Sequence, residues 1–404
     1  MNNISNVGLR KMVLVIILRD GTEISLKADF IARILKSNHD ASFIHVFRKN
    51  QFNEKSEGYE IELASSKFGI FNYYFLYFLK SPKDLHDGLV RRLTKGKLES
   101  RIRAGGFVTT LFNVLHQYFG RSSKSDGLKE FLERSNSKKI FLIDEFFSLK
   151  TVDLRLLQKF GSVIYVTSDV ARDFYGCSLA TSKIMAKFEQ KTIDIPDLIV
   201  ACSERDRLKY LEMGANQAIF YPNIYPMSEI SLFTKDVEPS ISIVMRAHWG
   251  SLAVETLDEV LNALASFGKS IRVYMIGMKP EKIPKNIDLI HFSNLESRSD
   301  FLKTLSRSWF GINLGIHGGG SNQRKYDYAL AELVVLSDKF GARGDFLPCE
   351  YSYFDYYDLA AKIIQLIALG REEITKMGIQ NSKTAISLAD KQQKELKKTT
   401  DVFF

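Results

Sequence analysis

Residues 310–338 read FGINLGIHGGGSNQRKYDYALAELVVLSD. The apolar run 310–314 predicts a buried strand, Gly318, Gly319 and Gly320 a turn, the residues from Asn322 a helix, and 333–336 a second buried strand. A glycine turn running into a helix leaves backbone N–H groups unpaired beside any incoming ligand, with the positive end of the helix dipole behind them. Arg324 and Lys325 stand in the first helical turn, where acids are usually preferred. An anion in front of that helix, a phosphate above all, accounts for the two cations; the alternative is a tight connection with solvated side chains. The run Gly-Gly-Gly matches neither the dinucleotide fingerprint nor the P-loop spacing. Its place after a buried strand matters more, because ligands of open α/β sheets bind at the carboxyl ends of strands.

The same alternation extends in both directions. Towards the N-terminus, 11–18 (KMVLVIIL), 42–47 (SFIHVF), 139–143 (KIFLI), 162–167 (SVIYVT) and 197–202 (DLIVAC) are continuous apolar runs rich in β-branched residues. Such runs mark strands buried on both faces of a parallel sheet. Helical patterns fall between them, around 30–35, 154–160, 183–190 and 204–213. After 217–221, residues 222–239 (PNIYPMSEISLFTKDVEP) are punctuated by proline and lack a period, which reads as a linker. A second series follows: strand 241–245, helix 253–267, strand 272–276 ending at Gly277, strand 288–291 and helix 298–306, leading into the opening stretch. A loop at 339–348, a helix at 357–369 and one or two charged helices over 371–399 close the chain. The expected fold class is α/β, in two halves that each carry a parallel sheet with right-handed crossovers. The expected boundaries are 1–222, a linker 223–239, 240–375, and a C-terminal helical segment 376–404 that crosses back to the first domain.

Composition sets outer limits. The chain has 404 residues, 45% hydrophobic and 25% charged, as an ordinary globular protein does. A net charge of +9 favours acidic partners such as nucleotides or anionic surfaces. A nucleic-acid partner is not expected, because no basic stripe interleaved with stacking aromatics falls on a recognised module. The three cysteines show no metal-ligand spacing, so neither a disulfide framework nor a zinc site is expected. No apolar run reaches the roughly 20 residues that span a bilayer. The N-terminus lacks signal-peptide order, so a cytoplasmic location is expected.

Further candidates lie outside the glycine turn. Arg246 ends the strand 241–245 in VMRAHWGS and either pairs locally or reaches towards an anion. His248 beside it lines the same mouth or packs against a ring. Asp327 and Glu332 are five residues apart, about 140° on a helix, so only one of them can face a given ligand. Asp169, after the strand 162–167, is either an N-cap or a residue of the site. Residues 67–80 (KFGIFNYYFLYFLK) are strongly aromatic and are followed by Arg91, Arg92, Lys95, Lys97, Arg101 and Arg103. Segment 67–103 is either a core helix with a solvated basic helix behind it, or an interfacial device for an anionic membrane surface.

In these motifs and their order the chain resembles retaining glycosyltransferases of the two-domain B fold, the large group that includes glycogen synthases and many lipid-linked mannosyltransferases. The resemblance covers about residues 140–370 and rests on many weak correspondences. They include the strand-end Arg246, VYMIG ending at Gly277, SRSDFLKTLSRS before WFGINL, the glycine turn and helix, VVLSD, and the first-half passage from DLIVACS to Pro222-Asn223. It implies two Rossmann-like domains facing across a cleft, a nucleotide-sugar donor, a glycan or lipid-linked acceptor, no cofactor, no metal, and transfer with retention. It further implies that Arg246, Arg324 or Lys325, and the turn at Gly318–Gly320, with Ser321 and Asn322, face the diphosphate, and that Asp327 takes the ribose hydroxyls. The chain departs from the family at three places, one of them the proline before the VV strand, replaced here by Leu333 or Val334. The first of its paired glutamates falls here on Gly318 or Gly319, and AHWGS follows Arg246 where the family carries a Gly-Lys pair.

Overall fold

The computed structural model describes residues 13–19, 26–38, 41–47, 59–60, 132–133, 137–144, 149, 153–167, 170, 186–187, 189–225, 231–245, 250–266, 268, 270–295, 297–314, 323–338 and 351–403. Two compact units share them. The first comprises 1–202, 206–220 and 393–404, and the second 203–205 and 221–392.

In the first unit the strands are β1 (Val13–Arg19), β2 (Ala41–Phe47), β3 (Tyr59–Glu60), β4 (Lys138–Asp144), β5 (Gly161–Val166), β6 (Leu198–Ala201) and β7 (Ala218–Phe220). They form one all-parallel sheet in the order β3-β2-β1-β4-β5-β6-β7. Helices α1 (Leu26–Asn38), α2 (Leu154–Gln158) and α3 (Glu204–Glu212) belong to the crossovers. The Asp153 side chain caps α2 by accepting from Leu156 N. In β4, β5 and β6 the apolar runs are buried over 139–144, 163–166 and 198–201, with Phe141, Ile143, Val163, Tyr165 and Ile199 in one cluster. Two-residue β3 carries too short a signal for a sequence pattern and exists only through its pairing with β2.

The second unit holds β8 (Ser240–Met245), β9 (Ile271–Gly277), β10 (Ile287–Phe292), β11 (Phe310–Asn313), β12 (Val334–Asp338) and β13 (Ser352–Tyr353). Its helices are α4 (Gly250–Ala265), α5 (Arg298–Ser306), α6 (Gln323–Leu330), α7 (Tyr356–Ile367) and α8 (Arg371–Thr400), the last of which runs on into the first unit. This sheet is also all-parallel, in the order β10-β9-β8-β11-β12-β13. Alternation along each strand divides the core between its two faces. Ile243, Met245, Phe310 and Ile312 join one cluster, whereas Val244, Tyr328 and Val335 join the other. Each such side chain, fully buried, contributes about 1.5–3 kcal/mol. Of the stretch 222–239, the part from 231 onward is bonded to this unit: Phe233 N donates to Ser306 Oγ at 2.9 Å, and Trp309 Nε1 to the Asp236 carbonyl at 2.9 Å.

Helix α8 lies close against the turn that leads from α6 into β12. A Cβ on Gly378 would meet the Glu332 carbonyl oxygen at 1.9 Å, so only glycine permits that approach. Glu332 is held at φ 59, a left-handed conformation that non-glycine residues seldom adopt.

Candidate functional site

Both sheets reverse direction between their two central strands, at β1/β4 in the first unit and β8/β11 in the second. The carboxyl ends of such a strand pair open a crevice, because the two crossovers leave on opposite faces of the sheet. In the second unit, β8 ends at Met245 and β11 at Asn313. The next residues of the chain are Arg246 in one case and, shortly after, Gly318–Gly320 in the other. The two described strands thus end at one switch point, each ahead in the chain of one of the two sequence candidates. Arg246, His248, Gly318, Gly319, Gly320, Ser321, Asn322 and Asp169 themselves lie outside the described residues, as does segment 67–103.

Side chains of α6 secure that switch point. The β8–β11 ladder ends at the pair Ile243–Ile312. Beyond it, Arg324 donates from Nη1 to the Val244 carbonyl at 2.9 Å and from Nη2 to the Leu314 carbonyl at 3.1 Å. The Val244 N–H donates to the Tyr328 hydroxyl at 2.9 Å. A planar guanidinium with its donors in a fixed fork can bridge two carbonyls in this way, and an ammonium cannot. Tyr328 reaches Val244 because Gly311 leaves room for its ring; a Cβ there would sit 2.3 Å from Tyr328 Cγ. Burial raises the Tyr328 pKa well above the usual phenol value, with the Arg324 charge and the Val244 hydrogen bond opposing, so the hydroxyl stays protonated.

The other α6 candidates are turned inward. Lys325 is buried, with its ammonium 5.3 Å from the centre of the Tyr326 ring. Asp327 is 3% exposed, and its Oδ1 accepts from Arg298 Nη2 at 2.7 Å. Arg298, in the first turn of α5, also lies 5.8 Å from the centre of the Tyr225 ring. No sequence signal marked Arg298, since a pairing across two helices leaves no local pattern. Gly277, at the end of β9, has φ 99, and its carbonyl lies 2.9 Å from His291 Nε2 on β10.

At the ends of β11 and β12, Asn313 Nδ2 donates to Ser337 Oγ at 2.8 Å. The Asn313 carbonyl accepts from the Tyr353 hydroxyl at 3.1 Å. Asn313 is fully buried, and its Oδ1 has no hydrogen-bond partner among the described residues.

The first unit carries a buried polar group around the end of β5. Lys27 Nζ donates to the Thr167 carbonyl at 2.9 Å. Glu189 Oε1 accepts from the hydroxyls of Tyr210 at 2.8 Å and Tyr165 at 3.1 Å. Burial raises the Tyr210 pKa, and the Tyr165 and Glu189 charges add to it. Asp169 follows Thr167 by two positions. Among the described residues, no three His, Cys, Asp or Glu side chains come together as a metal site.

No family model matches the sequence, and no curated protein matches it. Solved structures do match. Sucrose-phosphate synthase from Thermosynechococcus elongatus aligns over 97% of this chain and 99% of its own at a TM-score of 0.61, with 11% identity. The trehalose-6-phosphate synthase OtsA aligns over 97% and 98% at 0.58, with 12% identity. TarM of S. aureus, solved with Fondaparinux, alpha-GlcNAc-glycerol and UDP, aligns over 98% and 99% at 0.59, with 12% identity. These are glycosyltransferases of the B fold. The chain has that fold, with two Rossmann-like α/β units, as its motifs implied.

Proposed function

We propose that the chain is a glycosyltransferase moving a sugar from a nucleotide-diphosphate sugar to a glycan or lipid-linked acceptor, with retention. The observation that carries this is the β8/β11 switch point, from which both the Arg246 segment and the triple-glycine segment leave. Cations and backbone N–H groups directed at a departing diphosphate stabilise the charge that develops as the glycosidic bond breaks. In this reading Arg246 and the amides of Gly318–Gly320 hold the diphosphate. Arg324 sets the two strand ends at the spacing they need. The shared B fold supports the reaction class, and the UDP in the TarM complex supports a nucleoside diphosphate as the leaving group. Segment 67–103 would bring the protein to an anionic membrane carrying its acceptor. No helix among the described residues is long and apolar enough to cross a membrane.

Transfer assays with UDP-, GDP- and ADP-sugars test the proposal. One donor is expected to be consumed, and Arg246→Ala is expected to abolish turnover while the fold survives. Full turnover in Arg246→Ala would discard this site. A noncatalytic binding protein on the same scaffold is the second reading, favoured by the glycine that stands where the family's first glutamate falls. Nucleotide-sugar binding without turnover across all donors would select it.

A further inference from the structure

The second unit has a cavity of about 540 Å³ at the opposite pole of its sheet from the switch point. Its walls come from 232–235, the end of α5, the turn after α6 and the first turns of α8. Lys235 there is 8% exposed, and its Nζ donates to the Ser308 carbonyl at 2.9 Å, just before β11 begins. Arg371 donates from Nη2 to the Lys235 carbonyl, which keeps the two cations side by side. Among the described residues neither forms an ion pair. Burial lowers the Lys235 pKa to about 8, with Glu332 opposing and Arg371 adding to the fall. Two neighbouring like charges therefore sit at one cavity wall, where the Glu332 charge acts on Lys235 without forming an ion pair with it.

The same wall holds the start of α8. Its first intrahelical bond runs from Ile374 N to the Gly370 carbonyl at 3.2 Å, so the amides of 371–373 precede the ladder at the positive end of the helix. Lys376, paired with Glu373 at 3.1 Å, also lies in the lining, while Glu332 and Glu372 bring carboxylates to it. That mixture suits a ligand with one strongly anionic end and a body of hydroxyl donors, which carboxylates accept well. The volume falls within the range of small-molecule sites, about 300–1,000 Å³, and a bare phosphate would leave most of it empty. Phe233, 46% exposed, offers an apolar wall to such a body.

We infer that this cavity binds a phosphorylated polyhydroxy compound of sugar-phosphate size, its phosphate between Lys235 and Arg371 and its hydroxyls towards Glu332 and Glu372. The site is separate from the donor site and does not depend on the reaction proposed above.

Calorimetric titration of the full chain with glucose 6-phosphate, inorganic phosphate and glucose tests it. Glucose 6-phosphate is expected to bind at least fivefold more tightly than phosphate, with no heat from glucose. Lys235→Met and Arg371→Gln are each expected to weaken it at least tenfold, leaving thermal stabilisation by nucleotide unchanged. Should either variant fail to fold, residue-resolved acetylation of the wild-type chain serves: glucose 6-phosphate is expected to protect Lys235 several-fold. Absence of glucose 6-phosphate binding, unchanged affinity in the folded variants, or unprotected Lys235 would overturn the inference. Loss of nucleotide binding alone would bear only on the donor site.

Discussion

Arg324 and Val244 are joined at 2.9 Å, guanidinium to carbonyl, at the point where two parallel strands stop pairing. The cation that the sequence offered as a phosphate ligand braces the ends of β8 and β11 through the Val244 and Leu314 carbonyls. Arg324→Ala withdraws a donor from two carbonyls, and a stranded buried acceptor costs about 1–3 kcal/mol. A fall of that size in urea-unfolding stability is expected, together with loss of sugar transfer. Arg324→Lys is expected to recover little of either, because a point charge cannot span Val244 and Leu314.

The pair Arg298–Asp327 makes an ordering prediction. Asp327 is the more deeply buried partner, with 5% of its side chain exposed against 23% for Arg298. Arg298→Met leaves a buried carboxylate without its cation, which costs about 3–5 kcal/mol. Asp327→Asn leaves the more accessible partner and is expected to cost less. Chemical denaturation of the two variants checks the order, and the reverse order would contradict this pairing.

Two glycines should respond alike although one lies in a helix and the other in a strand. Alanine for glycine in a helix interior ordinarily stabilises by about 1 kcal/mol. Gly378→Ala is expected to destabilise instead, because its Cβ would fall 1.9 Å from the Glu332 carbonyl oxygen. Gly311→Ala displaces the Tyr328 ring and is expected to cost about 1–3 kcal/mol, the usual range for overpacking. Thermal unfolding reads both signs.

Lys235 gives a pH dependence. Its pKa in the folded chain is lowered from an ordinary 10.5 to about 8. Between those values the unfolded chain binds more protons than the folded one, so stability rises with pH across that window. Below pH 8 both forms are charged and the burial penalty is fully present. The stability of the wild type relative to Lys235→Met is therefore expected to climb from pH 8 to above pH 10, and to be flat below. Paired urea titrations across that range measure it.

How much was legible beforehand follows from the range of each signal. Residues 298–306 were expected as a helix and form α5 with those bounds, because an apolar period and the Ser297 cap are both local. The buried parallel strands were legible for the same reason: runs such as 241–245 and 162–167 have no polar face to mislead. Tyr59–Glu60 and Ser352–Tyr353 were not, since a two-residue edge strand is defined by its neighbour alone. Asp327 stands out in the sequence as a candidate for the ribose hydroxyls, yet the residue it pairs with, Arg298, is 29 positions away and on another helix. Arg324 was read from its place near a helix N-terminus, while the carbonyls it bridges belong to two other elements. Sequence spacing identifies which groups carry charge; only the packed strands show what those charges hold.

Hydrogen exchange of the full chain with and without UDP, GDP and ADP is the most direct test of a diphosphate held where β8 and β11 end. Slowed exchange at 245–250 and 314–325 with one of these nucleotides is the expected result. Binding that leaves both segments unchanged, or no binding by any nucleoside diphosphate, would contradict it.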